Sequence, residues 1–134
     1  MALFDLRIKM EKKIIIALGS NFEPQINVEK AKQGLGALFP EILFSRSLWT
    51  EPVGIQSPRF VNALAIAHTS WSKEKIESEL KRLEKVCGRC REEKEQGVIR
   101  IDLDLMLYGE EKLRLKDWNR KYIFTLMNDL EEYL

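Results

Sequence analysis

The sequence is poor in the side chains on which many catalytic and metal sites depend. Its 134 residues include one histidine, His68, and two cysteines, Cys87 and Cys90. A single histidine excludes His-rich metal sites and argues against a Ser-His-Asp or Cys-His arrangement. The cysteines lack the second pair of Cys or His ligands that structural zinc needs. They also fall at the end of an expected helix, whereas a redox pair normally opens one.

Net charge and long apolar runs are also scarce. Lys and Arg total 22 against 21 Asp and Glu, so the formal charge is +1, and no global basic field favours nucleic acid or an anionic membrane. No apolar run approaches the roughly 20 residues that span a bilayer. Residues 1–11 carry charges and lack the apolar stretch of a secretory signal. We expect a cytoplasmic protein with an extension at residues 1–11 and one domain at residues 12–134.

Residues 98–109 alternate with a period of two, which predicts a half-buried strand. One face is apolar and consists of Ile101, Leu103, Leu105 and Leu107. The opposite face consists of Arg100, Asp102, Asp104, Met106 and Tyr108. The two carboxylates suit Mg²⁺, which is commonly held by one or two carboxylates plus substrate phosphates. A bare Asp-x-Asp is otherwise a solvated acidic strand face, so this pattern alone leaves both readings open.

The remaining patterns predict a β-α-β-β-α-β order and a terminal helix. Strands are expected over residues 14–18, 42–49, 60–68 and 98–109. Helices are expected over residues 25–38, between the N-cap Ser72 and the stop at Gly88, and over residues 119–133. A charged loop is expected at residues 89–97. This order predicts an α+β, ferredoxin-like fold, in which helices pack on a four-stranded antiparallel sheet.

Motifs in three separated regions follow one another in a specific order. Gly19-Ser20-Asn21 follows the first strand. The second region reads Thr50-Glu51-Pro52-Val53-Gly54 and then Phe60-Val61-Asn62-Ala63. The third contains Glu84, Gly88-Arg89-Cys90-Arg91 and Asp102-Leu103-Asp104-Leu105-Met106-Leu107-Tyr108-Gly109. Together, over about residues 13–130, these motifs resemble the 6-hydroxymethyl-7,8-dihydropterin pyrophosphokinase family of folate biosynthesis.

The resemblance implies an activity and a set of site residues. The expected reaction is transfer of a pyrophosphoryl group from ATP to the pterin hydroxymethyl oxygen, with release of AMP. Asp102 and Asp104 match the catalytic aspartates that hold two Mg²⁺ ions. The positions that match pterin-binding residues are Thr50, Pro52, Val53, Phe60, Asn62 and Tyr122. The positions that match ATP-binding residues are Glu84, Arg89, Arg91 and Arg120.

The chain departs from the family pattern at several phosphate-binding positions. Ile99 stands where the family has an arginine, Gln96 stands where it has a tryptophan, and residues 113–117 lack its Pro-His segment. Arg100, one position later, falls on the carboxylate face, where pairing with Asp102 is expected. Three readings therefore stay open: a divergent pyrophosphokinase, a non-catalytic paralogue that binds a pterin or nucleotide, and a ferredoxin-like interaction module.

Overall fold

A computed structural model describes residues 10–52, 54 and 57–134. The strands in this part of the chain are β1 (Lys12–Ser20), β2 (Leu43–Phe44), β3 (Leu48–Thr50), β4 (Phe60–Thr69), β5 (Asp102–Tyr108) and β6 (Glu111–Lys112). The helices are α1 (Pro24–Leu38), α2 (Lys73–Val86), α3 (Arg91–Glu95), α4 (Leu115–Trp118) and α5 (Lys121–Asp129). A 3-10 turn, Glu131–Tyr133, follows α5.

Every strand pairing in the described residues is antiparallel. β1 lies at the centre of the sheet between β4 and β5, and β6 extends the sheet beyond β5. β2 and β3 both pair with β4, so they form one edge strand with an interruption. Counted this way, the elements follow the predicted βαββαβ order. The α+β, ferredoxin-like fold class is confirmed.

The interruption divides the strand predicted over residues 42–49. Ser45 N donates to Leu64 O, and Leu64 N donates to the Ser45 side-chain oxygen, both at 2.8 Å. The hydroxyl thus occupies the place of a backbone carbonyl in the ladder. This side-chain bond ends regular pairing between β2 and β3 while keeping the edge attached to β4.

Helices cover both faces of the sheet. α1 and α2 pack on one face, where the core includes Val28, Leu35, Ile76 and Leu80. α5 packs on the other face with a smaller core that includes Ile15, Leu64, Met106, Ile123 and Leu126. α2 begins as predicted, because the Ser72 side chain accepts a hydrogen bond from Lys75 N. In the part of the chain that is described, no helix has the length and apolar character to cross a bilayer.

A β-bulge changes the faces of β5. Its register against β1 shifts between Ile15 and Ile16, which leaves Met106 as an extra residue. Met106 and Leu107 consequently both pack on the α5 side, whereas Tyr108 packs against the α1 and α2 side. The predicted alternation is therefore wrong for Leu107 and Tyr108, because a bulge re-aims the side chains that follow it.

Residues 98–101 do not form the predicted start of β5. Asn21 holds this segment instead: its backbone N donates to Ile99 O at 3.0 Å, and its side-chain oxygen accepts from Ile99 N at 2.7 Å. The Asn21 side-chain nitrogen donates to Gly97 O at 2.7 Å. A buried asparagine thus satisfies the backbone that a strand partner would otherwise satisfy.

Arg100 does not pair with Asp102 as expected. Its guanidinium donates to both Glu93 carboxylate oxygens, at 2.8 and 2.9 Å, and lies 4.5 Å from the centre of the Phe22 ring. Glu93 is on α3, a short helix within the segment predicted as a loop. The prediction failed because Arg100 precedes the strand, so the period of two does not apply to it.

Two further expectations fall on residues outside the described ranges. The proposed extension, residues 1–11, lies outside them at positions 1–9, and the division into an extension and a domain stays a prediction. Val53, one of the expected pterin-binding residues, also lies outside the described residues.

Candidate active site

The floor of the site is the middle of the sheet on the α5 side. In the register of the sheet, Gly19 is opposite both Asn62 on β4 and Asp102 on β5. Ala17 is opposite Asp104. A Cβ atom on Gly19 would lie 2.8 Å from Asn62 Oδ1, closer than real contacts allow. The small residues of β1 therefore leave open space between the amide of one neighbouring strand and the carboxylates of the other.

A cleft of about 280 Å³ lies above this floor. Four of the six residues predicted to bind a pterin line it: Thr50, Phe60, Asn62 and Tyr122. Pro52 is half-buried nearby and is not among the lining residues. The Asn62 side-chain nitrogen donates to Thr50 Oγ1, which fixes the plane of the amide. Rings and an oriented amide in one cleft suit a flat heterocycle with polar edges.

Tyr122 extends from α5 into this first cleft. Burial raises the pKa of its phenol above the ordinary value of 10.0, because the charged phenolate loses its hydration. The ring is therefore neutral near pH 7 and presents both an aromatic surface and a hydroxyl group.

A second cleft, of about 400 Å³, lies on the α2 side of the carboxylates. Glu84 and Arg89, two of the residues predicted to bind ATP, line it. Arg120, predicted for the same role, lines the first cleft instead. Arg91 is exposed on α3 and lines neither cleft. The structure thus brings together only part of the expected ATP set.

Glu84, Arg89 and Asp102 form a compact ion network. Arg89 Nη1 donates to Glu84 Oε2 at 2.8 Å and to Asp102 Oδ1 at 2.7 Å. Glu84 Oε2 also accepts from Leu103 N at 2.7 Å. Burial raises the pKa of the Glu84 carboxyl. Burial lowers the pKa of Arg89, but the hydrogen bond to Asp102 and the two carboxylates outweigh it, so the net pKa is raised.

A looser network extends from Asp104 along the connection to α5. Arg114 Nη2 lies 3.3 Å from Asp104 Oδ1, and Arg114 Nε donates to Asp117 Oδ2 at 3.4 Å. Asp117 Oδ1 also lies 3.0 Å from Arg120 Nη2. Sequence reasoning did not single out Arg114 or Asp117. Both lie in a polar connector without periodicity, so no pattern in the sequence distinguishes them from solvated charges.

The two clefts meet at the carboxylates. They share four lining residues, which are Ile99, Asp102, Asp104 and Arg114. The side chains of Asp102 and Asp104 are 36% and 21% exposed, so neither is turned into the core. Burial, and then the charge of Asp102, raises the pKa of Asp104 to about 7. The junction is therefore a place where negative charge accumulates and remains accessible.

The donor set at the junction fits a hard divalent cation. Carboxylate oxygens are ligands that Mg²⁺ prefers. The raised pKa of Asp104 is caused first by burial and then by the charge of Asp102, and a bound cation would offset both. Among the described residues, no group of three or more His, Cys, Asp or Glu side chains is arranged to hold a metal ion. An ion held by two aspartates therefore needs further ligands from a substrate or water, as is usual for Mg²⁺ with phosphates.

Comparison with known proteins agrees with this geometry. The family model described as 7,8-dihydro-6-hydroxymethylpterin-pyrophosphokinase (HPPK) matches residues 15–132. A 2-amino-4-hydroxy-6-hydroxymethyldihydropteridine pyrophosphokinase of Haemophilus influenzae is 37% identical over 100 residues, covering 72% of this chain and 62% of that protein. The protein of the same name from Pseudomonas aeruginosa is 32% identical over 111 residues, covering 79% and 67% respectively.

A plant protein is similar over most of the chain. The folate synthesis bifunctional protein of Arabidopsis thaliana is 28% identical over 134 residues, which are 89% of this chain but 27% of that protein. The chain thus spans about a quarter of the plant relative's length and about two thirds of the bacterial ones. The match to the family model covers most of the chain, so the chain belongs to the HPPK family.

Proposed function

We propose that the protein transfers the pyrophosphoryl group of ATP to 6-hydroxymethyl-7,8-dihydropterin, giving AMP and the pterin diphosphate, a step of folate biosynthesis. One observation carries the proposal: Asp102 and Asp104 lie where a cleft lined by rings and an amide meets a cleft lined by charged groups. A group transfer between two substrates requires donor and acceptor to meet at one point. Family membership and the names of the relatives support the same reaction.

The first cleft is the proposed pterin site. Phe60 and Tyr122 contribute ring surfaces for stacking, and Asn62 contributes an amide that both donates and accepts hydrogen bonds. Thr50 orients that amide. Pro52 and Val53 complete the proposed set of pterin-binding residues, as the family resemblance implies. Binding at this position places the hydroxymethyl group of the pterin toward the two carboxylates.

The second cleft is the proposed nucleotide site. Glu84 and Arg89 border it, and Arg89 offers guanidinium donors to phosphate oxygens. Arg120 borders the first cleft. We propose that it contacts the phosphates where this cleft meets the second one. Arg91 is exposed and lines neither cleft, so we leave it outside the proposed nucleotide site.

Asp102 and Asp104 are the proposed ligands of two Mg²⁺ ions. When bound, Mg²⁺ neutralises phosphate charge and orients the reacting groups. The pterin hydroxyl oxygen attacks the β-phosphorus of ATP, and the bond from that phosphorus to the oxygen shared with the α-phosphorus breaks. AMP leaves with the shared oxygen, and the hydroxyl proton is released to solvent. The protein supplies mainly positioning and charge, which dominate catalysis of phosphoryl transfer.

The test is direct. The purified protein is incubated with ATP, Mg²⁺ and 6-hydroxymethyl-7,8-dihydropterin, and AMP is measured by chromatography. AMP is expected only when all three components are present, and an Asp102→Ala variant is expected to lose it. AMP formation by the wild type no faster than by Asp102→Ala would contradict the proposal.

A non-catalytic binding protein is the second candidate. The apolar side chain of Ile99 at the junction favours this second candidate, because position 99 provides no charge to stabilise the phosphoryl group in the transition state. Pterin binding without AMP formation, measured by fluorescence titration, would support this candidate over the enzyme. The cytoplasmic location, and the expectation of small-molecule substrates without nucleic acid or membrane partners, stay predictions.

A further inference from the structure

We propose that Arg114 binds the pyrophosphoryl group of the nucleotide at the junction of the two clefts. This inference rests on the proposed function and adds a residue to it. In the described part of the chain, Arg114 is the one cationic side chain that borders both clefts. Lys81, Arg89 and Lys94 border only the second cleft, and Arg120 borders only the first. The group that is transferred lies where the two clefts meet, and Arg114 borders this junction.

The two arginines beside the carboxylates differ in how firmly they are held. Arg89 lies 2.7 Å from Asp102 and 2.8 Å from Glu84, and its side chain is 19% exposed. Arg114 lies 3.3 Å from Asp104, and its side chain is 50% exposed. An exposed ion pair contributes little net stability, because solvent screens it and both side chains lose conformational freedom in forming it. Arg114 also lies 3.4 Å from Asp117, so both of its carboxylate contacts are long, and it is able to exchange them for a phosphate more readily than Arg89 can.

The backbone at Arg114 is unusual in a way that is consistent with this role. Its φ and ψ are 54° and 53°, in the left-handed region. Glu23 is the other non-glycine residue with positive φ in the described residues. This conformation is unfavourable for a residue with a side chain, and it persists where surrounding structure requires it. Here it lies at the turn between β6 and α4, from which the guanidinium reaches Asp104.

The neighbouring position explains why a further cation is needed. Ile99 borders the same two clefts and contributes no charge. Asp102 and Asp104 contribute two negative charges at the same place. A planar guanidinium supplies several donors in a fork that matches phosphate oxygens, so Arg114 supplies the interaction that the side chain at position 99 does not.

Binding measurements on an Arg114→Gly variant test the inference, since glycine accepts the left-handed backbone and the fold should be retained. The probes are AMP, α,β-methylene-ATP with Mg²⁺, and 6-hydroxymethyl-7,8-dihydropterin, each titrated by calorimetry. We expect the variant to bind α,β-methylene-ATP roughly 10- to 100-fold more weakly. Its affinities for AMP and the pterin should stay within about twofold of wild type, because neither ligand contains the transferred group.

Two matched variants complete the experiment. Lys116→Ala removes an exposed cation from α4, two residues after Arg114, and should bind all three probes like wild type. Arg114→Lys should fall between wild type and Arg114→Gly. Equal losses for AMP and α,β-methylene-ATP, or no loss at all, would overturn the inference. If wild type forms no AMP while the selective loss persists, the proposed reaction fails and the role of Arg114 in binding stands. If wild type binds no nucleotide, both fail.

Discussion

Arg89 Nη1 lies 2.7 Å from Asp102 Oδ1 and joins the segment that follows α2 to the first residue of β5. The same nitrogen contacts Glu84 Oε2, whose other partner is the backbone of Leu103. Because Glu84 and Arg89 are mostly buried, solvent and salt screen these contacts little. Asp102 is consequently held at the junction of the clefts before any ligand binds.

Arg89 and Arg91 should therefore behave differently when each is changed to alanine. Arg89→Ala leaves the partly buried Glu84 without its cation, which should cost about 1–3 kcal/mol of folding stability. It should also raise KM for ATP. Arg91→Ala, at an exposed position, should change stability by less than about 0.5 kcal/mol and leave KM within about twofold of wild type. Chemical denaturation and steady-state kinetics measure both; equal effects of the two changes would contradict the placement of Arg91 outside the clefts.

Gly19→Ala should impair the pterin site. The added Cβ would lie 2.8 Å from Asn62 Oδ1, so the amide must turn away from its present orientation. We expect weaker pterin binding, by roughly tenfold for one lost well-placed hydrogen bond, with little change in ATP binding. Gly36→Ala is the control, since a Cβ there meets nothing within 4 Å; it should leave binding unchanged and stabilise α1 by about 0.5–1 kcal/mol. Unchanged pterin affinity in Gly19→Ala would show that the space above Gly19 and the orientation of the Asn62 amide do not matter for pterin binding.

Phe60→Ala should show whether the Phe60 ring stacks on the pterin or only packs within the protein. Loss of an aromatic stacking surface typically costs about 1–3 kcal/mol, so pterin affinity should fall by roughly 5- to 150-fold while ATP affinity changes little. Phe124→Ala is the matched control, because Phe124 is an exposed phenylalanine on α5 that lines neither cleft. Titration of each variant with each substrate gives the comparison. Equal weakening of pterin and ATP binding by Phe60→Ala would indicate a packing role only.

Asp104→Asn should abolish turnover and change how stability depends on pH. The folded pKa of Asp104, about 7, is above its ordinary value of 3.8, so between these values the folded protein binds more protons than the unfolded chain. The resulting stabilisation is fully present below about pH 4 and is lost as pH rises to about 7. Asparagine does not ionise, so position 104 of the variant does not cause this decrease in stability as pH rises.

Thermal melts without Mg²⁺, from pH 4 to pH 8, measure the effect. The melting temperature of Asp104→Asn relative to wild type should increase as pH rises from 5 to 8. A difference that stays constant across this range would show that Asp104 ionises normally. Marked destabilisation of the variant at every pH would instead assign Asp104 a structural role.

Sequence patterns predicted the parts of the fold that depend on local physics. The N-cap at Ser72 and the buried face through Leu103 and Leu105 follow from capping chemistry and from the period of a strand. The polar side chains of Asp102 and Asp104 were placed correctly on the opposite face. These features depend on residues close together in the chain, which is why they are visible in the sequence.

Features that depend on distant contacts were not predictable. The bulge at Met106 depends on pairing with β1. The backbone conformation at Ile99 depends on hydrogen bonds with Asn21, which is far away in the sequence. Arg100 pairs with Glu93 because α3 turns back toward it. Arg114 reaches Asp104 from a backbone in the left-handed conformation, which no residue type in this segment predicts. The proposed site roles also came from family resemblance rather than from periodicity.

The central claim is that Asp102 and Asp104 hold divalent cations between a nucleotide and a pterin. A crystal structure with Mg²⁺, α,β-methylene-ATP and 6-hydroxymethyl-7,8-dihydropterin tests it most directly. The account predicts metal density in contact with both carboxylates, phosphates in the cleft beside Arg89, and the pterin beside Asn62. Metal and phosphates bound elsewhere, with Asp102 and Asp104 still paired only to Arg89 and Arg114, would contradict it.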